Sequence, residues 1–145
     1  MIRNRFAVLT LLIVALACDS SLAPRQPIDA TFVYARAWAL EAPPGATAPP
    51  TVTTDGGALT VLGTHMTSLP CYSLEARATR IDVTVRVRLI AERGDGICTA
   101  VSADWAYRLT LTLPHQAERL VMEHAVRSNG RTGPFAPLFE TTLDR

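Results

Sequence analysis

The chain has no apolar run that would cross a bilayer comfortably. Its longest, Phe6 to Ala17, falls short of the roughly 20 residues that a spanning helix needs. It has no lysine: all 14 basic residues are arginine, and no functional class follows from that usage. Against them stand 13 acidic residues, and a formal charge of +1 leaves no basic footprint for nucleic acid. Cysteine is scarce, at three, and no C-x-x-C pair occurs. G-x-S-x-G, H-E-x-x-H and a Gly-rich phosphate loop are also missing, which leaves room only for a site assembled across distant segments. At 145 residues the length suits one domain with one ordinary core.

What is present begins with an address. Arg3 and Arg5 form a charged start, Phe6 to Ala17 an apolar stretch, and Ala15 and Ala17 the small residues before a cleavage point, the pattern of an export signal over residues 1–17. A buried N-terminal helix fits less well, because the polar, turn-rich DSSLAPRQP follows at once. Residues 18–27 read as a short tether.

Ala15-Leu16-Ala17-Cys18 resembles the lipobox of bacterial lipoproteins, with Ala15 where leucine is usual. The resemblance implies that Cys18 becomes the lipidated first residue of the mature chain, held in the bilayer by acyl chains such as palmitate, each buried methylene contributing about 0.8 kcal/mol. Cleavage after Ala17 without lipidation is the alternative. Asp19 resembles an inner-membrane retention signal of some Gram-negative bacteria. The expected location is the bacterial cell envelope, anchored by lipid and facing periplasm or exterior. Lipidation of Cys18 removes the odd cysteine and leaves Cys71 and Cys98 as a pair, expected as a disulfide in an oxidising compartment.

The remainder, residues 28–145, reads as one β domain with a Pro-rich loop at 41–50. In Ile28 to Leu40, Ile28, Ala30, Phe32, Tyr34 and Trp38 share one strand face with Arg36 interrupting, while the small or apolar opposite face also fits a helix. EAPPGATAPP must then be an extended loop or linker. Gly57 to Thr67 fits a strand buried on both sides, and Tyr72, Leu74, Ala76 and Ala78 alternate with polar residues. Ile81, Val83, Val85, Val87 and Leu89 alternate with Asp82, Thr84, Arg86 and Arg88, the clearest period-two run in the chain. A turn at ERGDGI precedes a long strand within Thr99 to Leu113, ended by Pro114. Arg119 to Val126 returns, Asn129-Gly130 turns, and the Pro-interrupted Phe135 to Leu143 supplies an edge strand.

Short strands at close spacing argue for an all-β fold, a single antiparallel β-sandwich of about five to seven strands. An immunoglobulin-like arrangement joins two sheets by a disulfide beside a tryptophan; here Cys71 and Cys98 sit at strand ends, so the bridge can tie those ends instead. LPCYSLEARA, the valine-rich strand and WAYRLTLTLP are similar to small secreted bacterial domains with a sandwich fold and no assigned activity.

Candidate chemistry is thin. His65 with Met66, His115 and His124 offer imidazole and thioether donors for copper. Adjacent strand residues point to opposite faces, however, so His65 and Met66 do not easily share an ion, and separate surface or half-buried histidines are the simpler reading. No metal site and no cofactor are therefore expected. Asp95 between glycines suits a plain turn better than a calcium loop, which takes about 6 to 8 oxygens. Asp104 and Glu118 have no spacing that pairs them. Arg77, Arg86 and Arg88 share one face if β alternation is unbroken, a possible anion-binding surface for lipid headgroups or acidic polysaccharide; Glu75 and Asp82 nearby favour an ordinary charge-balanced face. Phe32, Tyr34, Trp38, Trp105 and Tyr107 read as core more readily than as a sugar platform. The expectation is a noncatalytic binding or structural module on a membrane anchor, its partner an unknown envelope protein or glycan and not nucleic acid. An inhibitor of an envelope protease or lysozyme is the alternative, with EAPPGATAPP as its candidate loop.

Overall fold

The computed structural model describes residues 24–36, 49–68, 70–98 and 102–144. Residues 1–17, expected to be an export signal, Cys18, Trp38 and residues 41–48 of the Pro-rich stretch lie outside the described residues. The strands in chain order are β1 (Gln26–Ile28), β2 (Ala30–Arg36), β3 (Thr51–Asp55), β4 (Ala58–Thr67), β5 (Tyr72–Ile81), β6 (Thr84–Arg93), β7 (Ala103–Thr112), β8 (Arg119–Ser128), β9 (Arg131–Thr132) and β10 (Ala136–Thr142). They form two sheets packed face to face, a β-sandwich. The larger sheet has the order β1-β5-β6-β8-β10, with β9 also on β8; the smaller has the order β2-β7-β4-β3.

Turn chemistry explains the hairpins. Asp55 and Ala58 pair across Gly56 and Gly57, whose φ values of 55° and 82° lie in the left-handed region that glycine enters without steric cost. Asn129 and Gly130 do the same between β8 and β9, at 51° and 72°. Asp82, at φ 52°, closes the β5–β6 hairpin, in which Ile81 pairs with Thr84. The run that reads as one strand from Ile81 to Leu89 is therefore broken: Ile81 ends β5 and Val83 is exposed in the turn. A short acidic side chain tolerates the left-handed conformation, and this local preference overrides the apolar alternation on either side.

Two further differences from expectation concern connectivity. Pairing begins at Gln26, which lies opposite Arg80, inside the stretch read as tether. The large sheet is mixed, because β6 and β8 run parallel, Thr84 opposite Arg119 through Glu92 opposite Arg127. A parallel pair needs a crossover, and here β7 is the crossover: the chain leaves the large sheet after Arg93, passes through the small sheet as β7, and returns in its original direction.

The core fills the space between the sheets. Leu59 and Val61 on β4 and Leu109 on β7 face Val85, Val87 and Leu89 on β6 and Leu120 and Met122 on β8, all with no measurable exposure. Each such side chain contributes roughly 1.5–3 kcal/mol relative to exposure. Gly63 is the small partner in this layer, since it lies opposite Tyr107, whose ring covers it.

The strand directions give the sandwich two ends. At one end lie the start of β1, the Asp82 turn, the Gly56-Gly57 turn, His115 and the close of β10. At the other lie the start of β5, the end of β6, the Asn129-Gly130 turn and the Cys71–Cys98 disulfide, with Cα atoms 5.9 Å apart. The Gly94 amide donates to the Cys71 carbonyl at 3.0 Å, so the bridge extends the open end of the β5–β6 hairpin. It ties strand ends, as the positions of the two cysteines suggest.

Candidate functional site

The outer face of the large sheet collects Arg77, Arg86 and Arg88. Arg77 on β5 is directly opposite Arg88 on β6, and Arg86 follows on the same face. Like charges in direct cross-strand pairs are destabilising unless compensated, and carboxylates from neighbouring strands supply the compensation. Arg88 Nε donates to Glu123 Oε2 at 3.1 Å, and Arg86 Nη1 stands 3.9 Å from Glu123 Oε1. Arg77 pairs with Glu75, whose carboxyl is held below its usual range first by that hydrogen bond. Arg127 Nη1 bridges Glu75 at 3.2 Å and Glu92 at 3.4 Å. The Phe135 ring stacks under Arg88, its centroid 4.3 Å from Cζ. The structure thus brings the three arginines together, but among internal carboxylates. An incoming anion has to compete with Glu123 and Glu75 for the same donors.

The aromatic residues line the inner face of the small sheet. Phe32 contacts Tyr34 at 5.7 Å and Tyr107 at 6.0 Å between centroids, and Tyr34 meets Trp105 edge-on at 5.7 Å. Tyr107 is buried, which pushes its phenol up to about 12 and keeps it neutral. Trp105 donates from Nε1 to the buried Thr67 hydroxyl at 2.9 Å, and Arg36 lies over the indole at 4.6 Å. These rings pack; they do not form an open platform.

Asp104 is on the outer face of the small sheet opposite Met66, at the disulfide end, whereas Glu118 bonds through its backbone to Val83 at the β1 end. They form no acid–base pair. Asp95 sits in a turn with Gly94 and Gly96. His115 lies at the β1 end, near Asp55 and Asp144 around a solvent-open cleft.

The disulfide end carries what the sequence did not announce. His65 on β4 and His124 on β8 project from opposite sheets into the gap between them, with ring centroids 5.5 Å apart and planes at 65°. A cavity of about 110 Å³ opens beside them, lined also by Met66, Thr67 and Tyr72. Burial, and then the neighbouring His124, hold His65 below the usual imidazole range. Met66 borders this cavity although it follows His65 on the strand. On the adjacent loop Ile97, beside Cys98, is fully exposed.

Among the described residues no group of three or more His, Cys, Asp or Glu side chains converges as a metal centre. No protein-family model matches the chain, no curated protein matches it in sequence, and no solved structure matches it.

Proposed function

We propose that the chain is a bacterial envelope lipoprotein, tethered to the bilayer through acylated Cys18, whose sandwich is a noncatalytic module that binds an envelope protein or glycan. The observation that carries this reading is the Cys71–Cys98 disulfide. It fits an oxidising compartment, and it leaves Cys18 as the one cysteine of three without a partner in the sandwich. Strand directions add an orientation. The chain joins the fold at Gln26, at the end opposite the disulfide. From Cys18 to Gln26 an extended backbone reaches at most about 30 Å, and in this reading the β1 end is the one nearer the membrane and the disulfide end the outward one. Metabolic labelling with an alkyne fatty acid tests the anchor: the full chain takes up label and sediments with membranes, and Cys18→Ala does neither. Label retained by Cys18→Ala would end this reading.

A second reading, an inhibitor of an envelope protease or lysozyme, is favoured by Ile97. A fully exposed aliphatic side chain beside a disulfide, on a loop at the outward end, is shaped to enter an apolar pocket. The segment 94–98, restrained by the bridge and the Gly94 bond, is the candidate for this among the described residues, whereas most of EAPPGATAPP lies outside them. The full chain then inhibits at least one of a panel of such enzymes at micromolar concentration, and Ile97→Asp abolishes the effect.

A further inference from the structure

We propose that the contact between His65 and His124 is a proton-operated latch: neutral, the two rings close the disulfide end of the sandwich, and doubly protonated they part and open it. The inference goes beyond the binding module above and does not depend on the anchor.

The contact joins the two sheets. His65 lies opposite Trp105 in the β4–β7 ladder, and His124 lies between Leu89 and Ala136 in the β6–β8–β10 ladders. The rings are half-buried and meet edge-on, with centroids 5.5 Å apart. The other restraints at this end act elsewhere: Trp105 Nε1 donates to Thr67 on the neighbouring strand of the same sheet, and the disulfide ties the start of β5 to the loop after β6. Neither bridges the facing strands β4 and β8. A cavity of about 110 Å³ beside the rings gives them room to separate while Met122 and Tyr107, one row deeper on the same faces, stay packed.

What faces the pair decides the effect of a second proton. From β2 comes Arg36, whose guanidinium lies over Trp105 and donates to the Pro70 carbonyl. From β5 comes Tyr72, on the cavity wall, and from β6 come Ala91 and then, by strand alternation, Arg93, opposite Tyr72. β7 presents Trp105 and β10 presents Ala136. The carboxylates of these strands point away: Glu75 and Glu92 hold Arg127 and Glu123 holds Arg88 on the outer face of the large sheet, while Asp104 is on the outer face of the small one. Asp95 stands in the turn beyond β6, at a separate cleft with Arg93 and Ser128. Among the described residues, then, no carboxylate faces the two rings. One proton leaves a cation beside a neutral ring. The second sets two like charges in contact, with Arg36 and Arg93 adding to the positive field, and half-buried charges without a partner are relieved by exposure to water. Burial and the neighbouring His124 already hold His65 below the usual imidazole range. The latch is therefore closed near neutrality and opens as pH falls.

The test follows amide hydrogen exchange in the full chain in detergent, disulfide intact, at pH 7.5 and pH 5, corrected for the intrinsic effect of pH on exchange. Residues 64–68 and 122–126 exchange at least tenfold faster at pH 5, and residues 54–59, at the β1 end, do not. His65→Gln and His124→Gln each remove the difference, and His115→Gln keeps it. A measurement on the unaltered chain guards against misfolded variants: the opening has the same pH midpoint as the His65 imidazole, followed by its ¹³C resonances. Equal exchange at both pH values, equal acceleration at both ends, a midpoint in the ordinary carboxylate range of about 4, or a difference that survives either His65→Gln or His124→Gln overturns the proposal. So does a variant already open at pH 7.5, because the contact and not its charge would then hold the end shut.

Discussion

Gly63 is the residue on which the packing of the small sheet turns. A Cβ built there stands 2.5 Å from Tyr107 Cζ and closer still to the hydroxyl. Tyr107 is buried and cannot swing clear without disturbing Phe32. Gly63→Ala therefore destabilises the domain by about 1–3 kcal/mol through overpacking, read from a urea transition, while Gly96→Ala, with open space around it, stays within about 0.5 kcal/mol. His65 sets a second expectation. Its folded pKa lies below the usual 6.5, so the unfolded chain binds the extra proton first. Stability is full above pH 6.5 and falls as pH drops through the folded value. The titratable group facing it across the gap is His124, with Tyr72 on the cavity wall. His65→Gln flattens the fall in denaturation midpoint between pH 7.5 and pH 5; an unchanged slope would place the titrating group elsewhere. Neither contact is legible in the chain. Gly63 reads as a strand glycine and His65 as an isolated histidine, because both partnerships are made across strands or sheets whose register the sequence does not state.

At the scale of elements, the β5–β6 hairpin and its disulfide show what patterning does and does not reveal. The alternation from Val85 to Leu89 marks the inward face correctly, and all three apolar residues are fully buried. Asp82 fits an outward strand position equally well on paper; only the turn requires its left-handed backbone. The parallel alignment of β6 with β8 is similarly hidden, since strand direction depends on which sheet β7 joins. The proximity of Arg77 to Arg86 and Arg88 is legible once a hairpin is assumed, but the carboxylate that occupies Arg88 comes from β8, far along the chain. The disulfide was legible by counting. It closes a separation of 27 residues, for which loop-closure entropy gives about 3–4 kcal/mol. The double replacement Cys71→Ser with Cys98→Ser loses stability of that order in chemical denaturation, and it increases protease cleavage in the segment 94–98 more than at the Asn129-Gly130 turn. Equal cleavage at both sites would mean that the bridge does not restrain the loop.

For the whole molecule, the two ends of the sandwich divide the proposed roles. The β1 end receives the chain at Gln26 and, in the proposed tethering, is the end toward the bilayer; the other end holds the disulfide, Ile97 and the His65–His124 pair. The division rests on Cys18 being the lipid-bearing first residue. Intact mass of the protein extracted from its native membranes, before and after reduction, tests that claim most directly. The account predicts a chain beginning at Cys18 with the added mass of acyl chains, and a gain of two hydrogens when the Cys71–Cys98 bridge is reduced. A chain beginning at Cys18 without added mass, or one still carrying residues 1–17, would contradict it.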